Sequence, residues 1–202
     1  MVVSRLVNKL FTSCTWVLDG KWLIDCGDVE PLLPLLDGGQ VQGVLLTHGH
    51  FDHIYGLPTF AKEYNLAPMC HSEDLPIYKA MPMMANQLVG LPIEGELPTV
   101  RECLLDGQEI LLGTISIRVI HTPGHTPGGA CYYFPADNFV LTGDTLFAGG
   151  VGRTDLPGGD QDELAESLHN VLFALPGKTV AYPGHYGKTT IGIEKINPML
   201  GI

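Results

Sequence analysis

Three of the chain's eight histidines and one aspartate fall within the six residues His48-Gly49-His50-Phe51-Asp52-His53. A packed core cannot bury so many imidazoles and a carboxylate together without stranding polar groups, whereas divalent cations satisfy them at once. Residues 41–47, just before the cluster, read as a buried strand. The cluster therefore begins where a strand gives way to a loop, the usual place for chemistry on a rigid scaffold. Three further ligand candidates stand apart: His125 in His121-Thr122-Pro123-Gly124-His125-Thr126, Asp144 in Thr142-Gly143-Asp144-Thr145, and His185 in Tyr182-Pro183-Gly184-His185. Each follows a predicted strand and each is preceded by glycine, which permits the sharp backbone course that converging loops need.

The surrounding pattern is that of short strands, helices and tight turns. Residues 13–18 and 21–25 predict a hairpin around Asp19-Gly20, a pair that favours a two-residue turn. Helices are expected over 57–64 and 72–80, the second with Ser72 as N-cap, and residues 81–98 show no clear period. That stretch is expected as a surface excursion bordering a pocket, or alternatively as packing. Residues 109–112, 114–120, 129–134 and 138–142 predict a second run of strands. The spacing predicts a helix over 160–175, opened by Asp160 and Glu163 in a capping-box-like start, with Leu164, Leu168, Val171, Leu172 and Leu175 on one face. A short edge strand over 178–182 then leads to His185. No repeat or linker divides the chain, so a single domain spanning 1–202 is expected.

Composition narrows the function classes. A hydrophobic fraction of 45% with 25 Gly and 15 Pro suits a turn-rich globular domain rather than a disordered chain. The formal net charge of −11 argues against a nucleic-acid groove, which needs a dense basic surface. Five cysteines, at 14, 26, 70, 103 and 131, form no CxxC pair and read as reduced, mostly core thiols. Arg5, Asn8 and Lys9 interrupt the apolar character of the opening segment, and no stretch approaches membrane-spanning length. A cytoplasmic protein with no membrane partner is the expectation.

The spaced motifs together resemble the metallo-β-lactamase fold superfamily in its glyoxalase II-like branch, from Ile24-Asp25 to the C-terminus. The resemblance implies an α/β fold, a four-layer αβ/βα sandwich. It also implies two divalent metal ions, zinc first and iron or manganese as alternatives, since nitrogen and oxygen ligands accept all three. Matched position by position, His48, His50 and His125 hold one ion and Asp52, His53 and His185 the other, with Asp144 bridging. Asp52 and Asp144 are the carboxylates implied in catalysis, and Asp25 resembles the family's aspartate that orients the ligand loop; its alternative is a turn-forming Asp before Cys26-Gly27. Of the other histidines, His71 is expected at the surface or as a cap, His121 in either a surface place or beside the ligands, and His169 on a solvated helix face.

Two ions about 3.5–4 Å apart can share a water, lower its pKa from about 15.7 toward about 7, and aim the resulting hydroxide at a carbonyl. The resemblance thus implies a metal-dependent hydrolase, a thioesterase of the hydroxyacylglutathione hydrolase type acting on a small-molecule, glutathione-linked thioester. The segment Gly152-Arg153-Thr154-Asp155 resembles small members of this branch, in which a basic residue borders the thiol-substrate pocket. Arg153 is the candidate for holding a substrate carboxylate, with a structural pairing to Asp155 as the alternative. Tyr186 is a second substrate candidate, although the longer enzymes place their substrate-contacting tyrosine one position later. The chain also ends 17 residues after His185, where those enzymes continue into a helical domain. Competing readings are an iron-dependent persulfide dioxygenase, whose family shares these motifs and uses one iron on the residues matching His48, His125 and Asp144, and a non-catalytic metal-binding module. A secreted β-lactamase or a nuclease fits less well.

Overall fold

The computed structural model describes residues 1–9, 11–36 and 41–200. The chain divides into two compact units, one made of Met1–Cys70 and Asp74–Cys103, the other of His71–Glu73 and the segment from Leu104 onward.

The first unit carries a six-stranded sheet in the order β1-β2-β3-β4-β5-β6. Its strands are β1 (Val3–Val7), β2 (Cys14–Leu18), β3 (Trp22–Ile24), β4 (Gly43–Leu45), β5 (Met69–His71) and β6 (Glu102–Leu104). The first two pairings are antiparallel, and β4 runs parallel to both β3 and β5. The predicted hairpin is present: Asp19 (φ 49°) and Gly20 (φ 67°) take the left-handed backbone of a tight turn, and Lys21 N donates to Leu18 O at 3.0 Å. Its ladder opens at Leu18↔Trp22, one residue later than a two-residue loop requires, so Lys21 is an extra residue on that side. Three helices follow, α1 (Phe51–Ile54), α2 (Leu57–Tyr64) and α3 (Leu75–Val89). Leu23, Val44, Leu46, Ile54, Leu57, Phe60, Met81 and Ala85 meet in one buried core.

Two expectations change here. The helix expected over 72–80 with Ser72 as N-cap is instead a 3-10 turn, Ser72–Asp74, followed by α3, and α3 extends through residues 81–89 to a left-handed Gly90. Pro82 lies inside it, so only one intrahelical bond is lost, and burial of Met81 and Ala85 outweighs that loss. Of residues 81–98, Pro82, Leu97 and Pro98 do border an open groove of about 390 Å³, together with Leu75, Tyr78 and Lys79.

The second unit carries a sheet in the order β14-β13-β10-β9-β8-β7. Its strands are β7 (Glu109–Leu112), β8 (Ile115–His121), β9 (Ala130–Phe134), β10 (Phe139–Gly143), β13 (Val180–Pro183) and β14 (Thr189–Thr190). A small hairpin of β11 (Leu146–Phe147) and β12 (Gly150–Val151) follows β10. Residues 178–182 were expected at a sheet edge, but β13 lies inside the sheet, parallel to β10 and covered by β14. The expected helix over 160–175 begins as α4 (Gln161–Glu166), widens through a π-turn and then tightens through a 3-10 turn to Ala174; α5 (Ile191–Lys195) comes after β13 and β14. Asp160 caps α4 by accepting from Asp162 N and Glu163 N at 2.9 and 3.0 Å. Leu164, Leu168 and Leu172 are buried with Ile120, Val140 and Ala181, and Val171 and Leu175 pack against them. No helix among the described residues is long and apolar enough to cross a membrane.

Candidate metal centre

In the first unit, β4 ends at Leu45 and the chain turns out through Thr47, His48, Gly49 and His50 before entering α1, whose single turn carries Asp52 and His53. His48, His50, Asp52 and His53 are all buried, with His53 fully so. The His48 ring lies 4.8 Å from that of His50 and 4.3 Å from that of His53. Ligand atoms of His48 and His50, of His48 and His53, and of Asp52 and His53 come within 4.8 Å of each other.

Backbone and carboxylate contacts hold this group. Asp25 sits at φ 63°, a left-handed conformation costly for a residue with a Cβ, and its N–H donates to Leu45 O at 2.8 Å. That posture puts the buried carboxylate under the ligand loop. One oxygen accepts from Thr47 N at 2.8 Å; the other contacts both the Thr47 hydroxyl and His53 Nδ1, each at 2.8 Å. Thr47 Oγ1 in turn lies 3.0 Å from His48 Nδ1. Gly49 N donates to the fully buried Asp74 carboxylate. A Cβ on Gly49 would meet Tyr78 N at 2.8 Å, so only glycine lets the loop rest against the start of α3.

The second unit supplies His125, Asp144 and His185. One Asp144 oxygen lies 3.6 Å from His125 Nε2 and 3.4 Å from His185 Nε2, placing the carboxylate between two imidazoles. Gly143, at φ 48°, makes the bend that delivers Asp144, and Gly184 N donates to Gly143 O at 2.7 Å, tying the His185 loop to it. His125 Nδ1 pairs with the backbone carbonyl of Arg153 at 2.7 Å. Gly152 lies so close beneath that an added Cβ would come within 2.0 Å of Asp144 O and 2.9 Å of the His125 ring. Beside them, burial raises the Cys131 thiol to about 11 despite its hydrogen bonds with Thr122 and Thr145, leaving it a structural, protonated group.

The substrate candidates are on the surface. The Arg153 side chain is 61% exposed and forms a bidentate pair with Asp155 at 2.6 and 2.7 Å. That hydrogen-bonded guanidinium holds the Asp155 carboxyl down at about 2. Tyr186 is exposed, held at φ 64°, with its ring edge-on to Phe147 at 5.5 Å; Phe147 also packs edge-on to His185 at 5.8 Å. His71, expected at the surface or as a cap, is buried, because it stacks on His121 at 3.9 Å; its Nδ1 does accept from Glu73 N at 3.4 Å in cap-like fashion. The His121 ring is committed to that stack and to the Pro127 carbonyl at 2.8 Å. His169 is exposed, edge-on to Phe173.

Thr47, Asp74, Gly152, Phe147 and the Arg153 carbonyl were not anticipated. Thr47 had a signal, standing immediately before His48, and so did Gly152, in the glycine-rich run before Arg153. Asp74 had none, being 25 residues from Gly49 in sequence. The donor chemistry fits divalent cations: buried imidazoles with Nδ1 engaged by oxygen, together with carboxylates, are what zinc, iron or manganese take.

Comparison with known proteins agrees. The model of the metallo-β-lactamase superfamily matches residues 7–185. An uncharacterized protein of Mycobacterium leprae is 40% identical, covering 88% of this chain and 86% of its own. A hydroxyacylglutathione hydrolase, GloC, of Haemophilus influenzae is 36% identical over 86% and 84% of the two chains. Among solved structures, the B3 metallo-β-lactamase BLEG-1 aligns with a TM-score of 0.88 at 33% identity, covering 98% of this chain and 99% of that one. TTHA1623 in a di-iron-bound form gives 0.86 at 36% identity, over 98% and 100%. ETHE1 from Myxococcus xanthus gives 0.72 at 26% identity, over 98% and 83%. With two mixed sheets, flanking helices and the family's pattern running through residues 7–185, this protein belongs to the metallo-β-lactamase superfamily and has its fold.

Proposed function

We propose that the protein is a metal-dependent hydrolase acting on thioesters, of the hydroxyacylglutathione hydrolase type, and that residues 1–202 work as one domain. His48, His50 and His125 would hold one divalent ion and Asp52, His53 and His185 the other, with Asp144 shared. The observation that carries this reading is the Asp144 carboxylate poised at 3.6 and 3.4 Å between the imidazoles of His125 and His185. The similarity to the Haemophilus GloC supports the substrate class.

Divalent ions bound there supply a water of lowered pKa and polarise the scissile carbonyl. The chain's own residues do the rest. Asp25 and the Arg153 carbonyl hold His53 and His125 with Nε2 available, and Asp144 and Asp52 contribute the negative charge that keeps cations in place. Arg153 exchanges its exposed Asp155 partner for a carboxylate of the thiol moiety, a low-cost exchange because the existing pair lies in solvent, where water screens it. Phe147 and Tyr186 offer an aromatic wall beside His185.

The test is metal analysis of the purified protein followed by parallel assays after loading with zinc, iron or manganese. The expected result is two ions per chain and hydrolysis of lactoylglutathione, with Asp144→Ala reducing hydrolysis to background and lowering metal content. One iron per chain with oxygen uptake on glutathione persulfide and no thioesterase activity would establish the dioxygenase instead. The whole-chain match to a B3 metallo-β-lactamase makes a cephalosporin the third substrate, and turnover faster than that of the thioester would overturn the assignment.

A further inference from the structure

The Thr47 hydroxyl stands between two groups of the candidate centre. It has one proton to give, and the Asp25 carboxylate at 2.8 Å can only accept it. The remaining contact, to His48 Nδ1 at 3.0 Å, must then have the imidazole donating. His48 is thereby fixed with its proton on Nδ1 and its lone pair on Nε2, the form that binds a cation. The same Asp25 oxygen takes His53 Nδ1 at 2.8 Å, fixing that ring in the same tautomer. Thr47 is 3% exposed, Asp25 1% and His53 0%, so water does not substitute for any of these bonds at low cost.

Resting on the two-ion reading above, in which His48 and His53 serve different ions, we propose that Thr47 is a positioning residue whose hydroxyl extends the hold of Asp25 to His48. One buried carboxylate then orients an imidazole at each ion, directly at one and through a hydroxyl at the other. Thr47 N also donates to the second Asp25 oxygen at 2.8 Å, a bond any residue at position 47 retains. Removing the hydroxyl therefore leaves the Asp25–His53 bond in place while taking away the Thr47 bond to His48.

The discriminating experiment is zinc titration of the full-length protein against a chromophoric chelator, comparing wild type, Thr47→Val and Thr47→Ser, with thermal unfolding of each metal-free chain as control. Loss of such a supporting partner weakens metal binding by about 10–100-fold. The expected result is that Thr47→Val raises one of the two zinc dissociation constants by that factor and leaves the other within about threefold, while Thr47→Ser restores both. Unchanged constants in Thr47→Val, or equal weakening of both ions, would overturn the proposal. So would failure of the serine to rescue. If Thr47→Val does not fold, the proposal rests on Thr47→Ser matching wild type and Thr47→Ala reproducing the selective loss. A wild-type protein that binds no zinc, iron or manganese would instead sink the two-ion reading itself.

Discussion

An imidazole binds a cation through whichever nitrogen lacks the proton, and here the partners of Nδ1 decide which one that is. His48, His53 and His125 each present Nδ1 to an oxygen, of Thr47, Asp25 and the Arg153 backbone respectively. His71 and His121 show the contrasting use, two rings stacked at 3.9 Å with an interplanar angle of 14°. Burial, and secondarily the positive charge of His121, lowers the His71 pKa below its ordinary 6.5, outweighing Glu73 and Asp106. The unfolded chain therefore takes up that proton first as the pH falls. The stability tied to neutral His71 is full above about pH 6.5 and is lost as the pH drops from there through the folded-state value. In metal-free protein, His71→Phe keeps the stack and removes the proton site, so its unfolding free energy should fall less steeply below pH 6.5 than that of wild type. Equal slopes in denaturant titrations would contradict this account.

At the level of elements, two of the candidate ligand loops are braced by a helix start, the His48–His53 loop by α3 and the His125 loop by α4. Asp160 N donates to Gly124 O at 2.7 Å, and Gly124, at φ 123°, lies where a Cβ would strike Leu164 N at 2.2 Å. Because the Asp160 side chain also caps α4, Asp160→Ala should cost about 1 kcal/mol in denaturant unfolding, with Asp160→Asn close to wild type. An alanine variant as stable as wild type would show that the cap contributes nothing. Helix α2 and strand β7 were legible to the residue, since their periods are clean and their ends are marked, α2 by left-handed Asn65. The second half of α3 was not, because Pro82 reads locally as a helix break while its neighbours Met81 and Ala85 are held by packing that only tertiary structure reveals. Strands β6 and β14, of three and two residues, are too short to carry a period, and missing β14 made β13 look like an edge. The candidate ligands stand out in the sequence because each sits at a strand end after a glycine or in one dense run. Their supports do not, apart from Asp25, since a hydroxyl, a backbone carbonyl and a distant carboxylate leave no distinctive spacing.

For the molecule as a whole, the candidate ligands divide four and three between the two compact units. Neither group alone supplies both a complete histidine set and the carboxylate between imidazoles, so the proposed chemistry requires residues from His48 to His185 to act together. The net charge of −11 makes bound cations a favourable addition to the folded chain, and ions held only by the folded state stabilise it by mass action. The superfamily match from residue 7 to residue 185 takes in both groups. The most direct measurement is anomalous diffraction at the metal absorption edge from crystals of the reconstituted protein. Two peaks per chain are predicted, one contacted by His48, His50 and His125, the other by Asp52, His53 and His185, with Asp144 reaching both. A chain that shows no peak, or whose peaks are bound by one unit's residues alone, would contradict the account.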